Sequence, residues 1–282
     1  MWASLRPPGF VACLFTGANA ALIVGCDRES PSLRSTVVTV VLLHGFPETS
    51  AIWQPLREHL SEHDVIALQL PGFGCATPAN WSATKEAYLE WLKRELTSLS
   101  AQHGAFDLVG HDWGGGLALA AVTEQPEGVR SWVCDIAGVF HPDYQWHDFA
   151  RFMQLPDVDE EMVVNVLSEE LFSSLGFPRD IGGQIASCID SEYARCALSL
   201  YRSATQPAMV EWAKRVAVAQ VRPGLVLKGE FDNYAGNLEQ VTVIADQLGA
   251  MLKVIPNQGH WWMMSDPSGA ATTLEAFWNS LD

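Results

Sequence analysis

A chain of 282 residues can bury a substantial core, and it suits one α/β domain with a modest insertion better than several small domains. With 48% hydrophobic and 18% charged residues its composition is that of a globular protein, which sets disordered and fibrous classes aside. The formal net charge of −16 argues against polyanionic partners, because affinity for nucleic acid comes largely from Lys and Arg displacing phosphate counterions.

The N-terminal stretch from Phe10 to Cys26 is apolar, follows Arg6 and ends in Ile23-Val24-Gly25-Cys26, which resembles a bacterial lipoprotein cleavage box. A β-hairpin is the preferred reading, with Val11 to Phe15 and Ala20 to Gly25 flanking the turn-rich Thr16-Gly17-Ala18-Asn19. A cytoplasmic protein goes with the hairpin, and an exported or lipid-anchored one with the alternative. No other stretch approaches the ~20 apolar residues that span a bilayer, so no membrane is expected. The six cysteines form no CxxC pair and no His-interleaved zinc spacing, so no metal site or redox motif is indicated.

Beyond Ser35, strands and helices alternate, the pattern of a mainly parallel sheet covered by helices on both faces. Thr36 to Leu43 is a continuous apolar run expected of a strand buried on both sides. Asp64 to Leu68 follows as a short strand, then Pro71-Gly72-Phe73-Gly74 as a turn and Ala83 to Ser98 as a helix. Phe106 to Val109 reads as a strand, with a helix starting by Leu117 to Val122. Val129 to Ile136, Gly224 to Leu227 and Leu252 to Ile255 supply further strands, and Thr272 to Leu281 closes the chain as a helix. Between residues 140 and 212 the alternation stops, and acidic, helix-forming sequence broken at Pro156, Pro178 and Gly182-Gly183 reads as a helical cap. The expected core is then residues 1–139 and 213–282.

Gly110-His111-Asp112-Trp113-Gly114 fits the elbow pattern G-x-Nu-x-G, in which a sharp strand-to-helix turn lifts one side chain over the sheet edge. The elbow presents Asp where Ser is usual. A carboxylate is ionised at neutral pH, needs no base to activate it and can displace a leaving group from an sp³ carbon to give an ester. On the pentapeptide alone, an Asp capping the next helix competes with this reading. Gly259-His260-Trp261 after the last strand and Gly229-Glu230-Phe231-Asp232 after the one before weaken that competitor, since nucleophile, acid and histidine then follow in the expected order. His260 is the candidate water-activating base and Asp232 its supporting acid, with Asp135 the alternative acid. His44-Gly45-Phe46-Pro47 follows the first buried strand, so the amides of Phe46 and Trp113 are the candidate oxyanion hole. Pro47 is a candidate for a cis bond.

Taken together, His44-Gly45-Phe46-Pro47-Glu48, Leu108 to Gly115, Gly229 to Asp232 and Gly259-His260-Trp261 resemble the α/β-hydrolase-fold epoxide hydrolases and, less closely, the haloalkane dehalogenases. The resemblance runs from about Val41 to the last helix. It implies an α/β-hydrolase fold with a helical cap, no cofactor, and two cap tyrosines that bind the epoxide oxygen. Pro142-Asp143-Tyr144-Gln145 and Leu198-Ser199-Leu200-Tyr201-Arg202 are similar to the segments that carry them, which assigns the role to Tyr144 and Tyr201. Packing within the cap is the competing role for each tyrosine. A dehalogenase would hold its halide with the Trp113 indole and a second donor where Phe46 stands; Phe46 and the tyrosines favour an epoxide. Asp135-Ile136-Ala137-Gly138 lacks the family's Asn-x-Pro, and Ser199-Leu200 replaces its Asn-Trp. The apolar cap residues Trp146, Phe149, Phe152, Phe172 and Leu175 point to a small apolar epoxide as partner; a homodimer is compatible with the sequence. The rival functions are dehalogenation through the same ester, a non-catalytic small-molecule binder, and other hydrolase-fold chemistry such as esterase or cofactor-free oxygenase activity.

Overall fold

The computed structural model describes residues 38–205, 208–217 and 221–281. The expected N-terminal hairpin, the lipoprotein-like box and the first two residues of the Thr36 to Leu43 strand lie outside the described residues.

Six strands form one parallel sheet: β1 (Thr39–Leu43), β2 (Asp64–Leu68), β3 (Phe106–Gly110), β4 (Val129–Cys134), β5 (Gly224–Gly229) and β6 (Met251–Ile255), in the order β2-β1-β3-β4-β5-β6. The apolar runs explain the architecture. Successive residues of a strand face opposite sides, so Val41, Leu43 and Leu108 enter one core while Val40, Leu42 and Val109 enter the other. Helices α2 (Lys85–His103) and α3 (Trp113–Val122) cover the first face, with α10 (Leu238–Leu248) beside them. Helices α1 (Gln54–His59), α11 (Trp262–Ser265) and α12 (Pro267–Asn279) cover the second.

Element ends follow local chemistry. Helix α2 starts after Thr84, whose hydroxyl accepts the Ala87 N–H at 3.3 Å, and stops at Gly104, with φ of 75°. Helix α12 begins five residues earlier than its apolar pattern suggests, because Asp266 caps Gly269 N–H at 3.0 Å and Pro267 fits the first helical position. Strand β4 ends at Cys134, two residues short of expectation, where Asp135 turns towards the interior and a 3-10 turn takes over at Ala137–Phe140.

Between β4 and β5 the described residues hold helices and no strand: α4 (Asp148–Met153), α5 (Glu160–Val166), α6 (Glu169–Ser174), α7 (Arg179–Ala186), α8 (Ser191–Ser203) and α9 (Ala208–Ala217). Asp159, Ser168 and Asp190 cap α5, α6 and α8 through their side chains, which divides a polar stretch into short pieces. Among the described residues no helix is long and apolar enough to cross a membrane.

The chain runs from β1 outward to β2 and then returns to β3 on the other side of β1. At such a reversal the loops leaving two neighbouring strands diverge, and a crevice opens at their carboxyl ends. The turn from β3 into α3 stands there and is packed without slack: a Cβ on Gly114 would collide with the carbonyl oxygens of Leu43 and His44. Gly114→Ala should therefore lower the unfolding free energy by about 3 kcal/mol, measured as a shift of the urea midpoint; an unchanged midpoint would show that the turn relaxes freely.

Candidate active site

Five strands deliver the polar side chains to one edge of the sheet. Asp112 follows β3 at φ 50° and ψ −125°, a positive φ that only the sharp turn into α3 enforces. Its Oδ1 accepts the Phe46 N–H at 2.9 Å, and its Oδ2 lies 3.6 Å from His260 Nε2. On the far side of the ring, His260 Nδ1 is 3.0 Å from Asp232 Oδ2. Asp232 Oδ1 accepts the Tyr234 N–H at 2.7 Å, which fixes the acid from its own loop. The Phe46–Pro47 bond is cis. Trp113 opens α3, where the first N–H groups of a helix have no acceptor in the helix itself.

The electrostatics follow from these contacts. Burial disfavours every charge here, yet the His260 imidazole is held well above its ordinary range because the Asp232 and Asp112 carboxylates outweigh the desolvation. Burial likewise opposes ionisation of Asp112 and Asp232, but the hydrogen bonds and charge of His260 bring both down, Asp232 to about 2. At rest the site is thus an imidazolium between two carboxylates. His44, by contrast, is neutral: burial takes it down to about 4, with Nδ1 2.8 Å from the Gly45 carbonyl and Nε2 accepting the Leu70 N–H at 3.0 Å.

A cavity of about 190 Å³ opens over Asp112 and His260. Phe46, Phe149, Leu171 and Leu175 give it apolar walls, and Tyr201 faces it from α8. The Tyr201 ring stands edge-on to Trp113 at 5.2 Å and to Phe46 at 5.4 Å. Burial and the Asp112 charge keep its phenol protonated, although a hydrogen-bonding interaction with the Trp113 side chain works the other way. Tyr144 is placed differently. Its hydroxyl donates to the Tyr234 carbonyl at 2.7 Å, and it lines a smaller space on the other side of Asp112. Of the other apolar residues singled out above, Trp146 stacks on Trp113 and Phe152 on Phe149, while Phe172 is buried in the second core.

Asp135, the alternative acid, does not touch His260. Its carboxylate accepts the Asp112 N–H at 3.0 Å through Oδ1 and faces His111 Nδ1 at 2.5 Å through Oδ2. His147 and Tyr234, which none of the sequence motifs contains, also line the cavity beside Asp112. The Tyr234 ring lies 4.9 Å from both His260 and His147, and His147 Nδ1 accepts the Ala150 N–H at 3.3 Å as the cap of α4. Proximity to quoted motifs was the available signal: His147 is three residues past Tyr144 and Tyr234 two past Asp232. Among the described residues, Glu48, His111 and His260 bring possible metal-ligating atoms within 4.8 Å of one another. Both imidazoles there already face carboxylates as ion pairs, although His111 Nε2, 3.6 Å from Glu48 Oε1, makes no hydrogen bond.

Residues 40–272 match the profile of the alpha/beta hydrolase family. The chain belongs to that family. This alpha/beta hydrolase is similar to epoxide hydrolase 4 of Mus musculus, 40% identical over 91 residues that cover 31% of this chain and 25% of that protein. It is also similar to the pimeloyl-(acyl-carrier protein) methyl ester esterase of Legionella pneumophila (strain Corby), 30% identical over 129 residues that cover 45% of this chain and 46% of the esterase. The matched stretches span less than half the length of these curated relatives. Among solved structures, haloalkane dehalogenase DbeA from Bradyrhizobium elkani USDA94 superposes with a TM-score of 0.66 at 20% identity, over 86% of this chain and 92% of that one, a likeness of fold.

The depressed Asp232 carboxyl carries a pH signature. Its folded pKa lies below the ordinary value of 3.8, so the stability it contributes is present above that value and is lost as pH falls towards 2. The gap in unfolding free energy between the wild type and Asp232→Asn should accordingly be widest above pH ~4 and shrink towards pH ~2, as acid-dependent urea melts would report. A gap independent of pH would mean that Asp232 is not ionised against His260.

Proposed function

We propose that this alpha/beta hydrolase opens an epoxide to a vicinal diol through an ester on Asp112. The observation that carries the reading is a carboxylate at the elbow with one oxygen on the Phe46 amide and the other facing His260, beneath an apolar cavity that a buried tyrosine hydroxyl overlooks. Ester hydrolysis by a serine would need a hydroxyl at the elbow, and Asp112 has none to offer.

In the first step Asp112 Oδ2 attacks a ring carbon, the carbon–oxygen bond breaks, and the leaving alkoxide takes a proton from the Tyr201 hydroxyl. Forming the ester removes the Asp112 charge. That charge had helped to hold a proton on His260 and had helped to raise the Tyr201 phenol, so its loss lets His260 give up its proton more readily and makes Tyr201 a better acid. The proton that leaves His260 restores the Tyr201 hydroxyl, and in the second step the neutral His260, steadied by Asp232, takes a proton from water as the oxygen adds to the Asp112 carbonyl carbon. The Phe46 and Trp113 amides receive the oxyanion, the departing diol oxygen takes the proton from His260, and the Asp112 carboxyl so released returns its proton to His260, which restores the resting ion pair. The mechanism calls on no cofactor. Tyr144 would join Tyr201 at the epoxide oxygen only by giving up its bond to the Tyr234 carbonyl.

A dehalogenase reading uses the same ester. Two features favour the epoxide: the Tyr201 ring stands edge-on against Trp113 at 5.2 Å, and Phe46 puts an aromatic ring where a second halide donor would be needed.

The test is a parallel assay on styrene oxide for diol and on bromoalkanes for halide, with Asp112→Ala as the blank. Diol without halide is expected; halide without diol would replace this reading with dehalogenation. In ¹⁸O-labelled water a single turnover should place the label first in Asp112, and His260→Gln should accumulate the ester, visible as a mass increase on the intact protein. Direct labelling of the diol would sink the covalent step.

Tyr201→Phe should slow ester formation about 100-fold, the usual scale for a lost general acid. Tyr144→Phe should cost less than about tenfold, because its hydroxyl is donated elsewhere. Rapid-quench measurement of the ester separates the two, and equal losses would mean that Tyr144 turns into the cavity during the reaction.

A further inference from the structure

Beneath the cavity lies a buried cluster that no step above uses. His111 is wholly buried between two carboxylates, with Nδ1 2.5 Å from Asp135 Oδ2 and Nε2 3.6 Å from Glu48 Oε1. Each carboxylate also holds a backbone amide in a different loop. Asp135 Oδ1 accepts the Asp112 N–H at 3.0 Å, and Glu48 Oε2 accepts the Gly45 N–H at 3.1 Å. The loop that bears His260 is hooked to the same pair, since Trp261 Nε1 donates to Glu48 Oε1 at 2.6 Å and Trp262 Nε1 to Asp135 Oδ2 at 2.8 Å. Three loops that carry the oxyanion amide, the nucleophile and the base therefore converge on two carboxylates, and the His111 ring joins those carboxylates to each other.

We propose that His111 is a positioning residue: by linking Glu48 to Asp135 it fixes the spacing between the Phe46 amide, the Asp112 carboxylate and His260. It does so as a cation. A neutral imidazole could donate to Asp135 alone and would turn a lone pair towards Glu48, whereas an imidazolium hydrogen-bonds Asp135 and presents a positive charge to Glu48 at 3.6 Å, an ion pair without a hydrogen bond. Leaving either buried carboxylate uncompensated is strongly unfavourable. Burial opposes the charge, but Asp135 and Glu48 outweigh it and lift His111 to about 9. Of the other titratable groups around it, His260 repels the cation, neutral His44 adds no charge, and the Asp112 carboxylate is itself favoured by the His111 charge. The kinetic part of this inference rests on the Asp112 ester reading; the structural part does not.

Two sets of measurements keep those parts separate. In substrate-free protein, ¹⁵N-imidazole spectra at neutral pH should show both His111 nitrogens protonated, and the Gly45 and Phe46 amides should exchange with deuterium about tenfold faster in His111→Gln than in the wild type. With saturating styrene oxide, ester formation in His111→Gln should be about 100-fold slower with half-saturation unchanged, the scale expected when reacting groups are misplaced by about 1 Å. Adding Glu48→Gln, which removes the uncompensated carboxylate, should recover about tenfold of that loss, a rescue that a purely steric role for His111 does not provide. A neutral His111 ring, or wild-type exchange at Gly45 and Phe46 in the variant, would overturn the proposal. So would ester formation in His111→Gln at the wild-type rate. If the wild type forms no ester, the epoxide reading falls, and the spectra and exchange rates decide the role of His111 without it. Should His111→Gln fail to fold, His111→Gln with Glu48→Gln takes its place in the exchange comparison.

Discussion

The backbone of Asp112 stands at φ 50°, where a non-glycine residue is held at a cost of about 1–3 kcal/mol, and the surrounding chain has to enforce it. The enforcement is local and tight. Gly114 fits against the carbonyls of Leu43 and His44, Gly110 against the backbone of Gly114 and Gly115, and Gly45 against the Asp112 side chain. Helix α3 is buried along its whole length between the sheet and α2, so the turn cannot swing outward. The result is a carboxylate standing clear of the sheet edge with an amide already on one oxygen, before any ligand arrives. Such preorganisation is what lets a polar site act without rearranging as charge moves.

Much of this was written in the chain in a legible form. Continuous Val and Leu runs are what a doubly covered parallel strand needs, so the strands fell close to their expected places; Asp64 to Leu68 matches to the residue. The elbow was readable because steric crowding demands small residues at fixed offsets around one functional side chain. Asp232 and His260 were readable because each follows a strand end, which brings distant residues to a common edge. What sequence could not convey was direction. Asp135 also follows a strand end, but whether its carboxylate serves His260 or His111 depends on a turn of the backbone after Cys134. Tyr144 sits in a segment that suggests a role at the epoxide, yet a backbone carbonyl 90 residues away takes its hydroxyl. His147 and Tyr234 carried only their nearness to Tyr144 and Asp232 as a signal, since each is placed by packing between loops.

On the proposed mechanism, covalent bond formation at Asp112 is also a change of electrostatic state. With Asp112 ionised, His260 is flanked by two carboxylates and the Tyr201 phenol faces one. Converting Asp112 to an ester would leave His260 with Asp232 alone. No residue has to move for the base to be released, because the neutralised group and the group it had restrained are already in contact.

The fold also separates two kinds of information. The polar groups come from the ends of β1, β3, β4, β5 and β6 and are anchored in backbone amides and buried rings, whereas Phe149, Leu171 and Leu175, which shape the cavity, come from short capped helices inserted between β4 and β5. Helices α4, α5 and α6 among them are brief turns capped by His147, Asp159 and Ser168, so one can be lengthened or exchanged without disturbing the register of the sheet. An architecture of this kind lets the choice of ligand drift under selection while the reactive centre stays constant, and a lineage can acquire new molecules to act upon by rewriting only the insertion.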